Sequence, residues 1–275
     1  MPSNSTAHLA RTVALAVVVG IGIVNLYWAA TGWTLSDAQA YWNAALRLRE
    51  GTDLYPLVGS VDAAEVYRYA PWFAWLAEPF TYLPPQLAGA IWSFILLAAS
   101  GIALIPLVRV RAWLPVAFFL PILVGISAVG NVQALMLAWL IHGIERRSGP
   151  LWIALAASLK IFPILLVAVY VGRQEWRRVA WTAGLTTLLW APALLYDLRG
   201  YATDPGQAAS LISQPVLWAV VVGGALVATL GLARGNYGWL AGATAVVLAL
   251  PRLFVYDVTY LLLGGVQRQP PGAER

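Results

Sequence analysis

Apolar runs of membrane-crossing length, punctuated by short arginine clusters, recur along this chain and leave few folds open to it. The first, Leu9 to Ala30, is long enough to traverse a hydrocarbon core of about 30 Å. It predicts an uncleaved signal anchor, because Tyr27 and Trp28 sit where an interfacial aromatic belt would lie. Gln86 to Val108 predicts a second span and ends at Arg109 and Arg111. Ala112 to Ala128 and Val132 to Gly143 predict two shorter ones turning at Gly130-Asn131, and Glu145-Arg146-Arg147 follows. Val179 to Tyr196 and Pro215 to Leu232 complete the longer runs. Gly238 to Val266, interrupted at Pro251-Arg252 and Tyr256-Asp257, predicts two short spans that meet at the outer side.

Composition excludes other classes. With 60% hydrophobic and 11% charged residues and 14 Trp, the chain reads as a polytopic membrane protein rather than a soluble domain. The formal charge of +5 lies in loop clusters, with no basic and aromatic patch of the kind that binds nucleic acid. No Cys is present, which removes disulfides, thiolate metal sites and a Cys nucleophile. His8 and His142 are too far apart in sequence to suggest a metal site or a Ser-His-Asp arrangement. The arginine clusters predict a cytoplasmic N-terminus, with cytoplasmic tails at 1–8 and 267–275.

The run from Pro150 to Gly172 breaks the pattern. A single span would put Arg173, Arg177 and Arg178 outside, and it would hold Lys160 near mid-membrane, where a charge costs about 2.5 to 3.5 kcal/mol on insertion scales. A hairpin that dips in and returns, turning near Lys160 and Pro163 against a polar cavity, resolves both problems.

Residues 31–85 are the one long polar stretch, expected as a first extracytoplasmic loop. Ser36 is the expected N-cap of its opening helix, Asp37 suits the positive end of the helix dipole, and Gly51 stops the helix. Ala38, Tyr41, Trp42, Ala45 and Leu48 define the expected apolar face, opposite Gln39, Asn43, Arg47 and Glu50, as in a helix lying on a membrane surface. Ala70 to Leu83, broken by Pro79, predicts a juxtamembrane or re-entrant helix.

Membrane burial does not easily explain Asp37, Tyr41, Arg68, Asn131, Gln133, Lys160, Arg252 and Asp257. One carboxylate among cations and amides at a lipid–water boundary suits a lipid phosphate and a hydroxylated acceptor: Arg and Lys hold phosphate and a carboxylate takes a proton. Each residue has a plainer reading. Asp37 is equally a partner of the helix dipole, and Arg68 and Arg252 are equally interfacial anchors.

The motifs Asp37-x-x-x-Tyr41, Gly51-x-Asp53-x-Tyr55-Pro56 and Tyr67-Arg68-Tyr69-Ala70-Pro71 resemble the first extracytoplasmic loop of the polyprenol-phosphate-mannose-dependent mannosyltransferases, glycosyltransferase family 87 of the GT-C superfamily. Gly130-Asn131-Val132-Gln133, Lys160-x-x-Pro163 with its trailing basic cluster, and Leu250-Pro251-Arg252 are similar to later motifs of that family, in the same order. The resemblance covers most of residues 10 to 260, although family members continue further at the C-terminus. It implies an all-α, GT-C-like bundle of about eight transmembrane helices plus the re-entrant hairpin and the large loop with amphipathic juxtamembrane helices, as one integral membrane domain over 1–275. It implies inverting, metal-independent transfer of a hexose, mannose first, from a polyprenyl-phosphate donor to a lipid or glycan acceptor on the extracytoplasmic face of the cell membrane. Asp37 is then the general base. Lys160, Arg252 and Arg68 stabilise the donor phosphate, and Tyr41, Tyr55, Tyr69, Asn131, Gln133, Tyr256 and Asp257 complete the candidate substrate site. No cofactor, metal or nucleic-acid partner is expected. A non-catalytic membrane scaffold and a small transporter stand as alternative functions.

Overall fold

The computed structural model describes residues 35–57, 66–201 and 210–266, with scattered positions between 12 and 27. The expected signal anchor and both tails therefore fall outside the described residues, apart from those scattered positions. All described secondary structure is helical. Helix α1 is Ser36–Glu50, and α2, Pro71–Ala77, continues as a 3-10 turn at Glu78–Tyr82. Next come α3, Pro85–Arg109, α4, Trp113–Ala128, and α5, Gln133–Gly143. Helix α6, Gly149–Leu159, is followed by a 3-10 stretch at Phe162–Leu166 that runs into α7, Val167–Gly172. Helices α8, Trp176–Trp190, α9, Pro215–Leu232, and α10, Gly238–Ala249, lead to a last 3-10 segment, Val255–Gly265.

Among the described residues, two helices, α3 and α9, are long and apolar enough to cross a membrane. At 1.5 Å per residue they extend for about 37 and 27 Å, against a hydrocarbon core of about 30 Å. Only 11% of the apolar window of α9 is buried, and Val216, Val220 and Val227 stand open on its surface. That is the reverse of a soluble core helix and suits a lipid-facing one. The other apolar stretches form shorter helices, because glycine, proline and polar residues interrupt them.

The chain from Gly149 to Gly172 is a hairpin. At Lys160 the backbone becomes extended, with φ −137° and ψ 123°, and α6 ends. Its two ends lie together: the Tyr170 hydroxyl donates to Ile144 O at 2.6 Å, and Arg173 pairs with Glu145 at 2.7 Å. Each arm is about 16 Å of α-helix at most, half a bilayer core. A second hairpin follows the same plan. Helix α10 breaks at Leu250 to Phe254, and the returning segment brings Gly264 against Leu240 near the start of α10. Gly242 lets the two hairpins approach, since a Cβ there would sit 3.1 Å from Val169 Cγ2.

The start of α1 departs from expectation. The helix begins at Ser36 itself, with Leu35 in the cap position and no side-chain cap. The Asp37 N–H instead donates to Val129 O at 2.9 Å, so a tertiary acceptor takes over the role expected of the serine. Gly51 ends the helix in the left-handed conformation, φ 68°, as expected.

Candidate functional site

Four elements meet at the end of the bundle that holds the Lys160 break: the start of α1, the α4–α5 turn, and the tips of both hairpins. Gly130 makes the first junction possible. Its φ is +81°, and a Cβ on it would fall 2.6 Å from Ala38 Cβ and 3.1 Å from Leu35 Cβ. The turn is held by Trp92 Nε1 donating to Gly130 O at 2.8 Å. The next residue, Asn131, consequently faces α1, and its Nδ2 donates to Asp37 Oδ2 at 2.6 Å.

From there a continuous polar chain runs inward. Gln133 N donates to Asn131 Oδ1 at 2.9 Å, and Lys160 Nζ donates to Gln133 Oε1 at 3.1 Å. The Lys160 ammonium also lies 4.0 Å from Asp257 Oδ1 and 4.7 Å from the centre of the Tyr256 ring. Asp257 is fixed by accepting from Phe254 N at 2.8 Å, which closes the turn after the second hairpin tip. Asn131, Gln133 and Asp257 are buried, whereas Asp37 and Lys160 remain partly accessible. A carboxylate and a cation thus stand on one hydrogen-bonded frame, each of them partly accessible. This arrangement can take a proton at one end and hold an anion at the other.

The structure brings Asp37, Asn131, Gln133, Lys160, Tyr256 and Asp257 of the expected set into this frame. Arg252 joins it indirectly: its guanidinium lies 5.2 Å from the Phe254 ring centre, and Phe254 stacks on Tyr256 at 5.3 Å. Tyr41 and Tyr69 meet through their hydroxyls at 3.1 Å. Tyr55 is 2% exposed and its hydroxyl donates to Tyr69 O at 2.8 Å, so it braces the loop rather than presenting a free polar group. Arg68 is half-buried, with its carbonyl accepting from the Tyr201 hydroxyl at 3.3 Å. Burial pushes Tyr201 up to about 12, with the nearby Arg68 charge opposing, so that hydroxyl keeps its proton at neutral pH.

Three contributors were not singled out from sequence. Ser158 ties the loop to the first hairpin tip, accepting from Trp72 Nε1 at 3.0 Å while its carbonyl accepts from Ala70 N at 3.0 Å. Thr259 receives Gln133 Nε2 at 3.3 Å. Its only sequence signal is a polar residue inside an apolar run, two positions after Asp257. Trp92 is one of 14 tryptophans in the chain and lies inside an apolar helix, where it reads as packing. Beside the frame, a groove of about 540 Å³ opens between α1, α2 and α3, with Tyr41, Trp42, Asn43, Phe73 and Trp92 on its walls. Among the described residues no group of three His, Asp or Glu side chains is placed to share a metal ion.

Gly130→Ala should damage the site at its first junction. The left-handed backbone alone costs about 1 to 2 kcal/mol, and overpacking against Ala38 adds about 1 to 3. Thermal melting in detergent should fall accordingly, whereas Gly125→Ala, with open space around it, should leave it unchanged. Equal melting of the two variants would show that the α4–α5 turn does not set the position of Asp37. No protein-family model matches the chain, and neither curated proteins nor solved structures yield a match to it.

Proposed function

We propose that this chain is a multi-pass membrane glycosyltransferase that moves a hexose, mannose in the first instance, from a polyprenyl-phosphate donor to a hydroxyl of a lipid or glycan acceptor, with inversion. The observation that carries the reading is the single hydrogen-bonded frame from Asp37 through Asn131 and Gln133 to Lys160. The acceptor oxygen attacks the anomeric carbon, its proton passes to Asp37, and the sugar–phosphate bond breaks with its electron pair leaving on phosphate. Lys160 offsets the negative charge that grows there, in a site where water is scarce. The groove beside Tyr41 offers apolar surface to the hydrocarbon part of a lipid substrate.

The proposed setting is a cell membrane with the site on the extracytoplasmic face and the N-terminus inside. Both hairpins enter from one end, where Arg146, Arg147, Arg173 and Arg178 gather, and the site lies at the other, as the excess of arginine on cytoplasmic loops would have it. A transporter reading draws on the same broken helices, but these hairpins run parallel and are not the inverted pair common in such proteins.

The direct test is incubation of the purified protein with labelled polyprenyl-phosphate-mannose and a total lipid extract, with any new glycolipid as readout. No transfer from this or other polyprenyl-phosphate hexoses would reject the reading. Within it, Lys160→Met should weaken donor binding by about tenfold to a hundredfold, the worth of one charge-assisted hydrogen bond. Arg252→Gln, which removes a guanidinium that packs on the Phe254 ring, should weaken it less. Unchanged donor affinity in a folded Lys160→Met protein would remove the phosphate role from this lysine.

A further inference from the structure

Lys160 is the only lysine among 275 residues, in a chain whose other cations are all arginine. A lysine differs from an arginine in being a compact point charge with three rotatable donors, so its placement depends on which acceptors surround it. One of these, the Gln133 carboxamide, has an oxygen and a nitrogen of nearly equal shape. Only its partners decide which of the two meets the ammonium.

We infer that Thr259 is a positioning residue that fixes the orientation of the Gln133 amide and through it the place of the Lys160 ammonium. The Thr259 hydroxyl donates its one proton to Tyr256 O at 2.5 Å. It is left with lone pairs toward Gln133 and therefore takes the amide nitrogen, at 3.3 Å. The amide oxygen is consequently turned to Lys160, at 3.1 Å. Both Thr259 and Gln133 have no exposed surface, so no solvent molecule competes for these bonds. The 3-10 winding of Val255–Gly265 brings Tyr256 and Thr259 onto one line, since residues three apart eclipse in that helix. A reversed amide would present N–H groups to an ammonium, and the cation would lose its acceptor and move toward Asp257.

This inference rests on the transferase reading only for its effect on rate, and a second readout separates the two. Because Lys160 is unique, the rate at which its amine is acetylated by acetic anhydride can be followed by mass spectrometry of the one peptide that carries it. Thr259→Val should change that rate at least about threefold and lower sugar transfer about tenfold, the worth of one hydrogen bond, with lower melting because a buried amide N–H loses its acceptor. Thr259→Ser restores the hydroxyl and should restore both values. Should valine disturb folding, Thr259→Ala makes the same loss with less bulk and is read in its place. A changed acetylation rate rescued by serine, in a protein that shows no transfer, supports the positioning role and rejects the transferase. Native acetylation in both the valine and alanine variants would overturn the positioning role whatever the activity or the melting.

Discussion

Asp37→Asn is expected to lower sugar transfer by about a hundredfold to ten-thousandfold, the usual loss when general-base assistance is removed. Asparagine keeps the shape of the side chain and can still offer an oxygen to Asn131 Nδ2, the contact that holds Asp37 Oδ2 at 2.6 Å. The other tie at this position, from the Asp37 backbone N–H to Val129 O, does not involve the side chain at all. What disappears is the proton acceptor, together with a dipole interaction worth about 0.3 to 1 kcal/mol at the start of α1. Melting should therefore fall by no more than that, and donor binding should persist. A dipole partner without a catalytic role gives the opposite pattern, slightly lower stability with near-normal turnover. Asp53→Asn is the control, because Asp53 is exposed beyond Gly51 and outside the frame. A collapse of transfer in Asp53→Asn with near-normal turnover in Asp37→Asn would move the base to that loop position.

How far the site could be read from sequence depends on which interaction sets each residue. The bounds of α9 follow from local composition, an apolar run between Pro215 and the arginine after Leu232, and the structure repeats them. The Lys160 break was legible because a charge and a proline inside an apolar run conflict with a straight span, and that conflict needs no knowledge of neighbours. Gly51 announces itself as a helix stop in the same local way. The Ser36 cap failed because Val129, remote in sequence, supplies an acceptor that local pattern cannot foresee. The apolar face of α1 was legible in part. Tyr41 and Ala45 of that face are buried and Ala38 and Leu48 pack against the core, but Ala40 and Ala44 are buried too, and Trp42 walls the groove. A hydrophobic stripe counts apolar side chains, but close packing of α1 against its neighbours favours the small ones.

The repetition of the hairpins was illegible for a different reason. Lys160 and Arg252 mark the two breaks, yet the sequences around them share little. The first returns as a 3-10 turn leading into α-helix and the second as a long 3-10 segment. What they share is backbone course and end-to-end proximity, set by pairwise contacts such as Gly264 on Leu240. Thr259 shows the same limit on a smaller scale, since its importance comes entirely from the amide it faces.

The bases of the hairpins should prove the most costly place to disturb. There the Arg173 side chain is 2% exposed and the Glu145 side chain 9%, with 2.7 Å between Nη1 and Oε1. Arg173 Nε also donates to Ala233 O at 2.7 Å, its guanidinium packs 5.1 Å from the Trp239 ring centre, and the Trp239 indole donates to the same Glu145 oxygen. One ion pair therefore joins the α5–α6 turn, the exit of the first hairpin and the α9–α10 turn that opens the second. Glu145→Gln keeps an acceptor for the indole but leaves the guanidinium without a counter-charge. Breaking a buried pair in this way costs about 3 to 5 kcal/mol, far more than an exposed pair such as Arg199 with Asp197. Arg173→Met should cost a similar amount, because Glu145 is then the uncompensated ion. The double variant should be less destabilised than the two single losses summed, since replacing both charges removes the desolvation penalty along with the attraction. A double-mutant cycle on detergent melting measures this coupling. Strict additivity would show that the two side chains act independently, and that shape alone, through Gly172 against Ala233 and Gly242 against Val169, holds the hairpins together.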